Sequence, residues 1–64
     1  MKIKYDKETD ILYVRFLETK IAESDEQKSG IIMDYDADGN MVGLEVLNAS
    51  EKIGTPGNVT YELA

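Results

Sequence analysis

An Asp38-Gly39 pair sits between two strand-like runs, Ile31 to Asp36 and Met41 to Leu47, and no other feature restricts the fold of this chain so strongly. Asp-Gly flanked by alternating apolar residues is the strongest short-range hairpin signal, because the favoured two-residue turn needs positive φ at its centre. The same letters have a second reading. Asp34 to Glu45 spells D-Y-D-A-D-G-N-M-V-G-L-E, which fits the Ca²⁺-loop pattern D-x-[DN]-x-[DN]-G-x5-E at every specified position. Asp34, Asp36 and Asp38 would then supply side-chain oxygens, Asn40 a backbone carbonyl, Gly39 the sharp turn and Glu45 a bidentate carboxylate.

The flanks separate the two readings. A Ca²⁺ loop of this type is held between an entering and a leaving helix. The entering helix would run through Ser24 to Met33, where Ser29-Gly30 interrupts it and Ile31-Ile32 favours strand. The leaving helix would open on Gly43 and cross Val46 and Asn48. Such sites also usually come in pairs, and the chain holds one. The hairpin is therefore preferred, with Asp34, Asp36 and Glu45 at solvent-facing or loop positions. No metal or cofactor is expected, and a cation site on Asp34, Asp36, Asp38 and Glu45 is the alternative.

The rest of the chain reads as further short strands. Met1 to Asp6 alternates, with Met1, Ile3 and Tyr5 on one side and Lys2 and Lys4 on the other. Asp6 to Asp10 is wholly polar and leads into Ile11 to Phe16, so a first hairpin is predicted. That second strand is apolar on both faces: Leu12, Val14 and Phe16 on one, Ile11 and Tyr13 on the other. One face packs the core and the other needs a cover. Ile21 to Glu26 reads as an edge strand in preference to a short acidic helix, because Ile21 is its only large apolar residue. Asn48 to Gly54 begins with cap-type residues and ends on glycine, the grammar of one or two helical turns. Val59 to Leu63 is either a final strand or a partly ordered tail.

The expected fold is thus mainly β, a small α+β unit. It is an antiparallel meander of four or five strands built from two hairpins, with a short C-terminal helical turn. Residues 1–53 form one domain and residues 54–64 a strand or tail. With 64 residues the core is small, and the usual additions are disulfides, a structural metal or oligomerisation. The chain has no cysteine and no histidine, which removes thiolate and imidazole metal sites and histidine-assisted nucleophiles. The formal net charge of −6 repels nucleic acid and anionic lipid, and suits solubility or a basic partner. No apolar run approaches a membrane span and no signal-peptide core is seen, so a cytoplasmic protein is expected. The two Asn-x-Ser/Thr triplets, at Asn48 and Asn58, are then chance matches.

M-K-I-K-Y-D-K-E-T-D-I-L-Y-V-R-F at residues 1–16 and G-I-I-M-D-Y-D-A-D-G-N-M-V-G-L-E-V-L-N-A-S at residues 30–50 resemble the small prokaryotic DUF2283 family, over about the first fifty residues. The signature residues are Tyr5-Asp6, Asp10 and Tyr13 in the first hairpin. In the second they are Asp34-Tyr35-Asp36, Gly39-Asn40, Gly43 and Glu45. The resemblance implies a compact β domain without an established activity, whose calcium-like string is that family's hairpin. It also implies, by gene neighbourhood, an antitoxin or partner-binding role beside small ribonuclease-like toxins.

Two functions follow as expectations, and a third is set aside. The first is a protein-interaction module acting as a homodimer through a face centred on Tyr5, Ile11 and Tyr13, with its acidic surface offered to a basic partner. Plain core packing is the competing account of those tyrosines. The second is the cation site. Catalysis is not expected, because paired carboxylates such as Asp34 and Asp36 at a solvated turn keep ordinary pKa values.

Overall fold

The computed structural model describes residues 1–64 as five antiparallel strands in one open sheet, followed by one short helix. The strands are β1 (Lys2–Asp6), β2 (Ile11–Arg15), β3 (Glu23–Lys28), β4 (Ile31–Tyr35) and β5 (Met41–Leu47), and the helix is α1 (Ala49–Lys52). The mainly β class and both expected hairpins are present. The order across the sheet is β1-β2-β5-β4-β3, so the strands do not follow one another as in a simple meander. After the first hairpin the chain crosses to the far edge, and β5 returns to close against β2, a Greek-key arrangement. No helix is long and apolar enough to cross a membrane.

Each turn is built by its own polar residues. Asp6 Oδ1 accepts the backbone N–H groups of Glu8 (3.0 Å) and Thr9 (3.4 Å), closing the first hairpin. At the second, Asp36 Oδ1 accepts from the N–H groups of Asp38 (3.0 Å) and Asn40 (2.9 Å), and Asn40 Nδ2 donates to Oδ2 (3.1 Å). Gly39 occupies φ +83°, which a residue with a Cβ rarely adopts.

Register sorts the side chains into two faces. One carries two apolar rows: Ile3, Val14, Leu44 and Met33, then Tyr5, Leu12, Val46 and Ile31. The opposite face is mixed, with Lys4, Tyr13, Glu45 and Ile32 in one row and Lys2, Arg15, Gly43, Asp34 and Ser24 in the next. Tyr5 therefore stands on the opposite face from Ile11 and Tyr13. The three do not form the single patch expected of them, because the first hairpin pairs Tyr5 with Leu12 and Lys4 with Tyr13.

Between Asp34 and Tyr35 the pairing slips by one residue and Val42 becomes the extra residue of a bulge, fully buried. Its carbonyl accepts from the N–H groups of Phe16 (2.8 Å) and Leu17 (3.2 Å), which pins the start of the crossover. Arg15 holds the same segment, its Nε donating to the carbonyl of Leu17 (2.8 Å) and a terminal nitrogen to that of Thr19 (2.6 Å).

The helix is capped from a distance. Asn48 occupies the N-cap with φ 51° and makes no side-chain capping bond. Asp10, forty residues earlier, accepts the Ala49 N–H at its carbonyl (2.9 Å) and the Ser50 N–H at Oδ1 (3.0 Å). The Ser50 hydroxyl donates to Oδ2 (2.7 Å) and the Tyr5 hydroxyl to Oδ1 (2.7 Å). One carboxylate thereby joins the first hairpin to α1. Residues 55–64 carry no strand or helix.

Candidate functional site

The mixed face holds the most unusual chemistry of the molecule. Asp34 lies in the middle of β4 and is only 4 % exposed, with the Ser24 hydroxyl of β3 donating to Oδ1 at 2.6 Å. Glu45, on the neighbouring β5, sits diagonally across from it. Asp34 pairs with Gly43 and Glu45 with Ile32, so the two carboxyls share a face. Gly43 contributes no side chain between Asp34 and Arg15, which leaves the floor of the cleft open.

A cleft of about 360 Å³ opens over this floor. Tyr13, Asp34 and Glu45 form its base, Glu18 and Ile21 of the crossover one wall, and Lys2 and Lys4 of the edge strand the other. The Lys4 ammonium stands 5.9 Å from the centre of the Tyr13 ring, within cation–π range. Three basic groups, Lys2, Lys4 and Arg15, thus share the cleft with three acidic ones, Glu18, Asp34 and Glu45.

Burial raises the pKa of Glu45 above its ordinary 4.5, and the charge of Asp34 and a hydrogen bond between the two carboxyls raise it further. Glu45 therefore keeps its proton to higher pH than a free glutamate does. Asp10 is shifted the other way by the Tyr5 hydroxyl and then by Ser50, and Asp36 by the donors of Asn40. The Tyr5 hydroxyl is raised in turn by its bond to Asp10.

A raised carboxyl adds stability below its unfolded pKa and loses it as pH climbs through the folded one. A lowered carboxyl adds stability above its unfolded value and loses it as pH falls through the folded one. Stability is therefore expected to peak in weakly acidic solution, with Glu45 responsible for the decline toward neutral pH. Glu45→Gln should flatten that decline and leave the acid limb, set by Asp10 and Asp36, in place. Urea midpoints across roughly pH 4 to pH 8 measure it; an unaltered neutral-side slope in the variant would remove Glu45 as the cause.

Asp34, Asp36, Asp38 and Glu45, the alternative cation ligands, are not gathered together. No three acidic side chains converge as a metal cluster. Asp34 and Glu45 face the cleft, while Asp36 turns inward to bind the backbone of its own turn. The expectation that the aspartates are solvated also needs correction, since Asp34 and Asp36 are 4 % and 7 % exposed. The reason is local: Ser24 satisfies one oxygen of Asp34, and three donors satisfy Asp36. Ser24 was not recognisable as a partner from the sequence, because its role depends on which residue of β4 faces it. Of the residues expected at an interface, Tyr13 lies in the cleft, Ile11 on the same face, and Tyr5 in the Asp10 network on the other.

The model of one family, described as "Protein of unknown function (DUF2283)", matches residues 2–50. No curated protein and no solved structure matches the chain.

Proposed function

The chain belongs to the DUF2283 family of proteins of unknown function, and from the surfaces it exposes we propose that it is a protein-interaction module that works as a homodimer. Its acidic surface engages a basic protein partner, in the manner of an antitoxin holding a small basic toxin. The observation that carries the dimer is the balance of apolar burial. Val42, Val46 and Ala49 are the only buried apolar residues, whereas eight large ones, Ile3, Met41 and Ile53 among them, are at least 44 % exposed.

The areas point the same way. The chain exposes 4922 Å², against about 4100 Å² for a compact monomer of its mass. The surplus is close to the roughly 800 Å² that each partner buries in a standard interface. The radius of gyration, 12.3 Å, likewise exceeds the roughly 10.7 Å of a compact chain of this length.

The basic partner is supported by the net charge of −6 and by β3, an edge strand exposed along its whole length that carries Glu23, Asp25 and Glu26. Sedimentation equilibrium of the purified chain should give twice the 7.2 kDa monomer mass. A monomer at every concentration reached would end the dimer reading. Coexpression with the product of the adjacent gene should yield a complex that weakens with added salt, as charge complementarity requires; failure to co-purify with it would end the antitoxin reading.

A further inference from the structure

Val59-Thr60-Tyr61-Glu62-Leu63 alternates apolar and polar side chains at the period of a strand. The segment nonetheless lies in no strand and makes no backbone hydrogen bond. Val59, Tyr61 and Leu63 are 58 %, 80 % and 84 % exposed. Val59, Thr60 and Tyr61 lie beside Met1 and Ile3, with which they line a shallow surface hollow. Ile3 belongs to β1, an edge strand whose outer row of N–H and C=O groups has no neighbour in the sheet.

The two segments match residue by residue in an antiparallel alignment with Ile3 opposite Tyr61. Met1 then meets Leu63, Tyr5 meets Val59, Lys4 meets Thr60, and Lys2 meets Glu62 with opposite charge. Every apolar side chain of the segment falls on the apolar face of the sheet. A slip of one residue would set Tyr61 against a lysine, so the pattern excludes odd slips, and the alignment with Ile3 opposite Tyr61 pairs all five residues of the segment.

Resting on the homodimer reading above, we propose that residues 59–63 of each copy add to β1 of the other as a sixth antiparallel strand, so that the dimer is joined by exchanged arms. Its own β1 does not satisfy the segment: lying beside it, the three apolar side chains stay 58–84 % exposed. The surplus surface is of the size a second copy would cover. The arm leaves the domain at the Thr55–Asn58 turn, closed by the Asn58 N–H to the Thr55 carbonyl at 3.0 Å.

The test uses the 64-residue chain and a variant of it carrying Thr60→Pro and Tyr61→Pro, since proline is excluded from a strand paired on that side. The variant should keep its sheet by circular dichroism and sediment as a monomer where the parent is a dimer. It should also bind a synthetic peptide of residues 55–64, because its β1 edge is intact and vacant. A variant that remains dimeric overturns the exchanged arm and leaves the homodimer standing. A parent that is monomeric throughout overturns the premise instead. Failure of the peptide to bind, or amide protection of residues 59–63 that does not depend on protein concentration, also overturns the exchange, the latter by assigning the strand to its own chain.

Discussion

Gly43→Ala is expected to lower the melting temperature by about 10–20 °C, the largest effect of any single methyl added to this chain. Gly43 lies in β5 between Arg15 on one side and Asp34 on the other. A Cβ at this position would stand 2.7 Å from the Val14 carbonyl oxygen, and that oxygen is backbone of the adjacent strand. A side chain could swing aside, but a ladder carbonyl moves only with its strand. The Arg15 Cδ, at 3.5 Å, is in ordinary contact on the same strand and is itself tied by the bonds of Arg15 to the crossover. Overpacking of this kind costs about 2–3 kcal/mol, and each kcal/mol moves the midpoint of a domain this size by roughly 4–8 °C. Gly57→Ala is the matched control, because nothing lies within 4 Å of a Cβ there. Thermal melts followed by circular dichroism decide the matter; a Gly43→Ala midpoint no lower than that of the control would refute the close approach.

Val42→Ala is expected to cost about 2 kcal/mol through packing alone. Val42 is the one large side chain that is fully buried. Its carbonyl contacts to Phe16 and Leu17 are made by the backbone, so alanine retains them. What is lost is two methyl groups, at about 0.8 kcal/mol each, and the void they leave. In a domain with so small a core, that is a large share of a total of order 5 kcal/mol. Denaturant titration should show a lower midpoint with an unchanged slope. A fall of less than about 0.5 kcal/mol would mean that the bulge closes over the gap.

Both positions lie in the string that first suggested a calcium loop, and the contrast shows what a sequence discloses. The hairpins were legible because their determinants are local: Asp6 and Asp36 bind backbone a few residues away, and Gly39 needs its φ for a turn that begins beside it. The edge strand was legible in kind but displaced, expected at residues 21–26 and found at Glu23–Lys28. Ile21 is drawn out of it to wall the cleft. Strand order was not legible, since nothing near β2 announces that β5 will pair with it. The burial of Asp34 and its bond to Ser24 depend on that order. So does Asp10: a polar residue at the end of a hairpin loop reads as turn chemistry, and its capping of a helix forty residues later leaves no mark in its surroundings.

The residues on which the family resemblance was read, Tyr35 apart, acquire definite duties from these contacts. Tyr5, Asp6 and Asp10 organise the first turn and fasten α1, while Asp36, Gly39 and Asn40 organise the second turn. Gly43 permits close strand approach, and Tyr13, Asp34 and Glu45 form the floor of the cleft. Backbone architecture accounts for the first seven of them. The last three are not required by any turn, and a raised Glu45 costs stability at pH values above its ordinary pKa.

The insertion of β5 between β2 and β4 also sets an order of events in folding. β2 is apolar on both faces, and the neighbour that completes its ladder is the last strand to be made. Until β5 docks, the first hairpin is a two-stranded ribbon with an unpaired apolar flank, an element only marginally stable alone in water. The Arg15 bonds to the crossover are local, but the Val42 carbonyl contacts that pin its start form only when β5 docks, so β2 gains its second neighbour and the crossover its anchor in one step.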